Sequence, residues 1–421
     1  MKNGGKKSKQ KGYQPEKAVK FEAEKIIENA LNLRATDVHI EPNEAFTLVR
    51  FRINGVLQKF EELPANFAPK LAKYFKFLGE LDFSEKIFAQ TATIPHGKTQ
   101  IRISVTPTFL GEKTTLRLLS SKNRIRKLEE IGLWGENLRL VKQALRQPNG
   151  IIFTLGRGKN NTNFALLNEL ISSEKNIITV ENRVEKAIAN IHQTEVKARI
   201  GLDYYHATKA ALNQNPDVIL IDDLRDAKTA ELIFDASSRG KLLIVSLPIH
   251  KTSDVIPYLE FLGVPSFMLA TNILAIIAQN LIRTTSKNAI DFRKISKTES
   301  NVLLNEFEIA ATKLNTLEKA ARKEFGAKLR TSDNAILEIP QLKAGFEEIG
   351  FTSATAIFEV ASLLDGKFGR DFKNLIAHLP NSAEIEDFLD ENNFTKMKID
   401  GLIKALQNQT TVKEVIYRTG Y

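Results

Sequence analysis

Apolar positions along the chain recur with different periods, and the changes of period divide it. Val19 to Leu33 repeats at helical spacing, with Phe21, Ala23, Ile26, Ile27, Ala30 and Leu31 on one side. Two alternating runs follow, one through Val38 and Ile40, the other through Leu48, Arg50, Arg52 and Val56. Asn54-Gly55 is the best short hairpin signal in the chain. Phe67–Leu81 reads as a helix, then Thr99–Thr106 and Lys113–Leu119 as strands joined by a turn at Gly111. Residues 18–119 are therefore predicted to form an α+β domain with an antiparallel sheet. Residues 120–130 are charged, lack periodicity and read as a linker. From 131 to 283 strand and helix alternate. Strands are expected at Ile151–Leu155, Asn176–Glu181, Val218–Asp222 and Leu242–Leu247, and helices at Thr162–Ile171, Tyr204–Asn213 and Ala227–Ser238. Near-continuous apolar strands with crossover helices predict a parallel sheet covered on both faces. Residues 284–421 are predicted to be mostly helical, closing with Ile399–Gln407 and Val412–Arg418.

Composition narrows the class. A chain of 421 residues with 43% apolar content can build two or three domains with real cores. The absence of cysteine excludes a disulfide framework and a Cys-ligated zinc site. The basic N-terminus has no apolar run behind it, so no signal peptide is expected. The most apolar stretch, Phe267–Ala278, is too short to span a bilayer and is broken by Thr271 and Asn272. A soluble, intracellular protein is expected. The net charge is +10, and Met1–Gly12 supplies five lysines and no acid. Residues 1–17 read as a disordered basic tail; the functional alternative is attraction to an anionic membrane face or to nucleic acid.

The candidate chemistry sits at GIIFTLGRGKNNTNFALLNEL, Gly150 to Leu170: a buried strand, a turn with two glycines and a lysine, and a helix. That order is the grammar of a phosphate-binding loop, usually G-x-x-x-x-G-K-[ST]. Here only Arg157 separates Gly156 from Gly158, and Asn160 stands where the Mg²⁺-binding hydroxyl belongs. Whether Gly156–Asn160 is an open concavity or is plugged by its own side chains, Arg157 above all, is the deciding question.

Strings along nearly the whole chain resemble the type II secretion and type IV pilus assembly ATPase family. In the first domain these are ATDVHIEPNE, VRFRINGVLQ and RISVTPTFLGEKTTLRLL. In the second they include KNIITVEN, ARIGLDYYHATKAALNQNPDVILID, RDAKTAEL and FMLATNILAIIAQNLIR, and the closing helices match in FTKMKIDGLIKALQNQTTVKEVI. The resemblance implies a RecA-like P-loop parallel-sheet domain, preceded by an α+β antiparallel-sheet domain and followed by a helical C-terminal region. It also implies ATP and Mg²⁺ as cofactors and a hexameric ring, homo-oligomeric or shared with family paralogues. The ring would work at the cytoplasmic face of the inner membrane, against an inner-membrane platform protein.

Each implied position has a physical task. Gly156, Gly158, Lys159 and Asn160 would be the phosphate loop, which is three residues shorter than the family's form counted from Gly150 to Lys159. Lysine and a helix start still favour an anion, whereas an asparagine carbonyl is a poorer Mg²⁺ ligand than the usual hydroxyl. Glu181 would be the catalytic glutamate that prepares water, and Asp223 the second catalytic carboxylate, one methylene shorter than the family's Gly-Glu at Asp222-Asp223. The family's histidines are replaced by Lys241 and Pro248, with His250 two positions on. Its arginines before NPDV are replaced by His206, Lys209 and Asn213, and near Glu85 only Lys86 persists as a cation. The four-cysteine zinc module is replaced by Thr284–Asp291, so no metal is expected there. Asp37, His39 and Glu41 alternate along one strand and read as polar contacts of the sheet. An arginine that stabilises transition-state charge is worth about 10³–10⁵ in rate, so these correlated losses predict a catalytically degenerate subunit or scaffold. A slow but active ATPase is the second reading. A basic nucleic-acid-binding protein is the third, and it lacks the aromatic interleaving that stacking requires.

Overall fold

The computed structural model describes residues 13–53, 55–97, 99–119, 125–172, 174–184, 187–307, 331–332, 335–336, 338–343, 350–392 and 394–420. The lysine-rich start, Asn54 of the hairpin and residues 120–124 of the linker lie outside them. The chain falls into two compact units, divided between Asn123 and Arg124. Tyr13, within the stretch expected to be a basic tail, packs edge-on against Phe77 and Phe83, with ring centroids 5.4 and 5.3 Å away. At the other border Leu128 is fully buried, so the end of the expected linker belongs to the second unit.

In the first unit helix α1 (Lys17–Asn32) precedes strands β1 (Asp37–Pro42), β2 (Phe46–Ile53) and β3 (Val56–Pro64). Helix α2 (Phe67–Leu78) and strands β4 (Gln90–His96), β5 (Thr99–Thr108) and β6 (Gly111–Leu119) follow. The sheet is antiparallel in the order β3-β2-β1-β6-β5-β4. Its period-two alternation sends Val38, Ile40, Val49, Phe51, Ile101, Ile103 and Leu116 into a core with Ile26, Leu71 and Phe75 from the helices. Polar residues on β1 make ion pairs: Glu41 with Arg50 at 2.7 Å and Lys113 at 2.6 Å, and Asp37 with Arg117 at 2.9 Å. Strand β4 was not expected; its QTATIPH is a half-exposed edge strand with a weak apolar signal.

The second unit is built on a seven-stranded sheet. Strand β7 (Gly150–Gly156) lies centrally, with β8 (Ile177–Glu181), β9 (His192–Glu195), β10 (Val218–Ile221), β11 (Leu242–Ser246) and β12 (Ile273–Thr285). The expected stretch 267–278 is thus split, its first half helical and its second half strand. Helices α3 (Gly135–Leu145), α4 (Lys159–Leu170), α5 (Tyr204–Leu212), α6 (Ala227–Ser238), α7 (Val255–Phe261) and α8 (Ser266–Asn272) cover the faces. Ile151, Phe153 and Leu155 enter one core and Ile152 the other, as a strand buried on both sides requires. Beyond 284 come two small ribbons, pairing β13 (Ile290–Lys294) with β16 (Glu338–Leu342) and β14 (Thr331–Ser332) with β15 (Ala335–Ile336), and helix α9 (Lys297–Glu306). Strand β17 (Phe351–Ser362) then joins the main sheet antiparallel to β12, giving the order β17-β12-β7-β11-β10-β8-β9. The helical C-terminus is α10 (Gly366–Ile376), α11 (Ser382–Glu391), α12 (Met397–Leu406) and α13 (Val412–Thr419). No helix among the described residues is long and apolar enough to cross a membrane.

A buried ion pair ties this C-terminus down. Lys404 Nζ donates to Gly132 O (2.7 Å), Ala356 O (2.6 Å) and Asp400 Oδ2 (2.7 Å), using all three of its hydrogens. Asp400 also accepts from Phe358 N at 2.8 Å and from Trp134 Nε1. Burial lowers the Lys404 pKa and the Asp400 charge opposes that shift. Asp400→Ala, which strands the ammonium, should destabilise the second unit by about 3–5 kcal/mol. Trp134, the only tryptophan in the chain, reports the loss as a lower guanidinium midpoint in its fluorescence.

Candidate active site at the central turn

Strand β7 runs to Gly156 and helix α4 starts at Lys159, so Arg157 and Gly158 make the whole connection. Both glycines hold positive φ, +86° at Gly156 and +84° at Gly158, which L side chains rarely adopt. The stronger constraint is space. Strand β12 stays paired with β7 up to Gln279 opposite Gly156, and a Cβ at 156 would lie 1.9 Å from the Gln279 carbonyl oxygen. At Gly158 the nearest atoms to a Cβ would be those of the flexible Leu281 side chain, Cδ2 at 2.9 Å and Cγ at 3.0 Å.

The turn is filled from beneath by a residue the sequence did not point to. The Gln279 side chain is buried; its Nε2 donates to Arg157 O at 2.8 Å and its Oε1 accepts from Thr162 Oγ1. Arg157, one of the side chains that could have plugged the turn, is exposed. Asn160 is exposed on the first turn of α4. Lys159 Nζ donates to Leu247 O at 2.7 Å. Burial lowers its pKa, and the charges of Asp223 and Asp222 pull it back up. Below the turn Asn163 accepts from Thr154 Oγ1 (2.7 Å) and donates to Ser246 Oγ (2.8 Å), locking α4 to β7 and β11.

The parallel sheet gathers the acidic candidates at the same carboxyl edge. Glu181 closes β8 and is buried; its Oε1 accepts from Thr179 Oγ1 at 2.6 Å and Gln193 Nε2 at 3.0 Å. Asp222 accepts from Tyr204 Oη at 2.5 Å and Asn182 N at 2.9 Å. Burial raises the pKa of the Asp222 carboxyl, and burial with the adjoining carboxylates raises that of the Tyr204 hydroxyl. Asp223 Oδ2 pairs with Arg225 at 2.6 Å, while its Oδ1 is buried with no hydrogen-bond partner among the described residues. Gly156, Gly158, Lys159, Asn160 and Asp223 are thus brought to one edge, with Lys159 within electrostatic reach of the aspartates. His206, Lys209 and Asn213 are all exposed on or just after α5, and His206 pairs with Asp203 at 2.8 Å. Lys241 donates to Asn215 at 2.7 Å, and Pro248 and His250 are exposed. Asp37, His39 and Glu41 lie in the first unit's sheet; no metal-binding group of His, Cys, Asp and Glu occurs among the described residues.

The segment from Leu247 to Asp254 connects this turn to the C-terminal helices. Gly156 N donates to Ile249 O at 3.1 Å. Thr252 Oγ1 donates to Glu359 of β17 at 2.6 Å, and the other Glu359 oxygen accepts from Met397 N at 3.0 Å. Ser253 Oγ reaches Glu386 at 2.8 Å and Asp254 accepts from Ser382 at 2.9 Å, both on α11. Sequence reading missed Gln279, Asn163 and Tyr204. A lone glutamine inside the apolar run ILAIIAQNLI was the one available signal.

Comparison with known proteins gives this geometry a family. The profile of the family described as Type II/IV secretion system protein matches residues 14–417. The chain belongs to that family. The Type IV pilus assembly ATPase PilB of Thermus thermophilus is 28% identical over 410 residues, covering 96% of this chain and 43% of that protein. The Type II secretion system protein E of Xanthomonas campestris pv. campestris is 30% identical over 398 residues, covering 93% of this chain and 65% of that protein. The chain therefore spans only about two fifths to two thirds of the length of these relatives. Among solved structures, the Legionella pneumophila ATPase DotB superimposes with a TM-score of 0.65 at 15% identity, covering 96% of this chain and 97% of that one. The pilus retraction motor PilT with bound ADP gives 0.57 at 18% identity, covering 93% and 95%. These two likenesses establish the family's fold: an antiparallel-sheet domain, a mostly parallel sheet and a helical C-terminus.

The two glycines should differ on substitution. Gly156→Ala, which drives a methyl into a backbone carbonyl, should cost more than about 3 kcal/mol. Gly158→Ala should cost about 1–2 kcal/mol, since the new methyl meets a flexible side chain rather than backbone. Thermal unfolding of the two variants measures the contrast.

Proposed function

We propose that the protein is a catalytically degenerate subunit or scaffold of a pilus-assembly or secretion motor. It takes a place in a hexameric ring, formed with itself or with active paralogues, at the cytoplasmic face of the inner membrane against a platform protein. The observation that carries this reading is the two-residue connection between β7 and α4, with the Gln279 carboxamide hydrogen-bonded inside it. A triphosphate needs a loop long enough for successive N–H groups to wrap it. Here the strand pairing holds the backbone flat up to Gly156, and the only bend left is Arg157-Gly158. The exposed Asn160 offers no hydroxyl to Mg²⁺. His206, Lys209 and Asn213 cannot give bidentate guanidinium contacts.

A second reading, a slow ATPase, is favoured by Lys159. Its ammonium makes one hydrogen bond among the described residues and faces Asp222 and Asp223, and Glu181 is in place at its strand end. Titration of the full chain with ATP and Mg²⁺ separates the two. The scaffold reading expects no micromolar binding heat and no phosphate release above a Lys159→Ala background. Micromolar affinity with turnover that vanishes in Lys159→Ala would establish the ATPase instead.

A further inference from the structure

Two neighbouring helices of the C-terminal region carry opposite charge side by side. Helix α10 exposes Lys367 and Arg370, with a partly exposed Lys373 one turn on. None of the three has an ion-pair partner among the described residues, and Asp371, the one acid of α10, pairs with none of them. Helix α11 has five acids and no base, an outlier in a chain of net charge +10. Lys396 takes two of the five, Asp390 at 2.6 Å and Glu386 at 3.6 Å. Glu384, Asp387 and Glu391 stay exposed, and none of these has an ion-pair partner among the described residues.

The spacing arranges these charges in stripes. Residues three or four apart share a helix face, so Lys367, Arg370 and Lys373 line one side of α10 and Glu384, Asp387 and Glu391 one side of α11. Like charges at that spacing repel one another. Only Glu384 has work within its own helix, accepting from Asn381 N at 2.8 Å in the N-terminal cap. Phenyl rings fix the two helices against each other. Phe368 and Phe372 of α10 meet Phe388 of α11 with centroids 5.4 and 5.2 Å apart, and Phe394 stacks on Phe368 at 6.1 Å. Phe372 is fully buried, so both stripes stand at a set separation on a packed base.

We propose that this helix pair is a contact surface for a second copy of the same chain. A polyanion would match α10 and be repelled by α11, and a purely basic partner would meet the reverse. The fitting partner presents both signs in adjacent stripes, and another copy does so by construction. A two-fold axis sets each α10 against the other copy's α11, so that every stripe meets its complement twice. Exposed ion pairs are individually weak and screened by salt, so the contact is reversible and strongest at low ionic strength. It does not depend on whether the central turn holds a nucleotide.

Sedimentation velocity of the full chain tests the contact. As salt falls from about 500 to about 50 mM, the sedimenting mass is expected to double, whatever assembly the chain forms at high salt. Lys367→Glu with Arg370→Glu makes the surface largely acidic, and Asp387→Lys with Glu391→Lys makes it largely basic. Either double variant should weaken the low-salt pairing at least about tenfold in dissociation constant. An equimolar mixture of the two should regain it, because each then meets its complement. All four changes fall on exposed side chains, so both variants should keep the parent's circular dichroism spectrum. Any of three results would overturn the proposal: a parent mass that salt does not change, undiminished pairing in either double variant, or a mixture that stays unpaired.

Discussion

The second unit depends on two backbones brought close together at the end of the β7–β12 ladder. Gly156 and Gln279 sit side by side in the β7–β12 ladder, with no room between them for a methyl group. Because that ladder persists to the last residue of β7, the chain must turn at once into α4. The connection is two residues over a glutamine. The Arg157 carbonyl and the Thr162 hydroxyl find partners in Gln279, and the Lys159 ammonium makes one hydrogen bond, to Leu247 O. A buried polar group left unpaired costs about 1–3 kcal/mol, so these contacts help to hold the turn's shape.

The turn is not isolated from the rest of the unit. Its neighbour, the segment from Leu247 to Asp254, takes hydrogen bonds from Lys159 and Gly156 at one end and joins Glu359, Glu386 and Ser382 at the other. Glu359 stands at the junction, bridging a strand, this segment and the first residue of α12. Burial raises its carboxyl pKa, opposed by the Thr252 and Met397 donors. The turn and the C-terminal helices are therefore joined through the same few side chains.

Much of this was legible in the residues. The four central strands fell within a residue or two of their expected places, because a strand buried on both faces is written as an unbroken apolar run. Helix α6 was found to the residue, its start marked by Asp226, whose side chain accepts from Thr229 N. Strands β4 and β9 were missed because edge strands carry little apolar signal. Strand β17 was missed because FTSATAIFEVAS sits among helical stretches and shows its alternation only beside β12. At the site, Gly156, Gly158, Lys159 and Asp223 could be named from order along the chain. Gln279 could not, since its contact with Arg157 spans 122 residues and exists only through strand pairing.

Strand β17 also bears on how the molecule is made. The ribosome completes β12 roughly 80 residues before β17, an interval of about 4–16 s at ordinary elongation rates. Through that time the nascent sheet presents β12 with one edge open, in a segment rich in isoleucine and alanine. An unpaired apolar edge is a template for pairing with other chains, so the half-made protein is at its most vulnerable in the seconds before its last strand arrives.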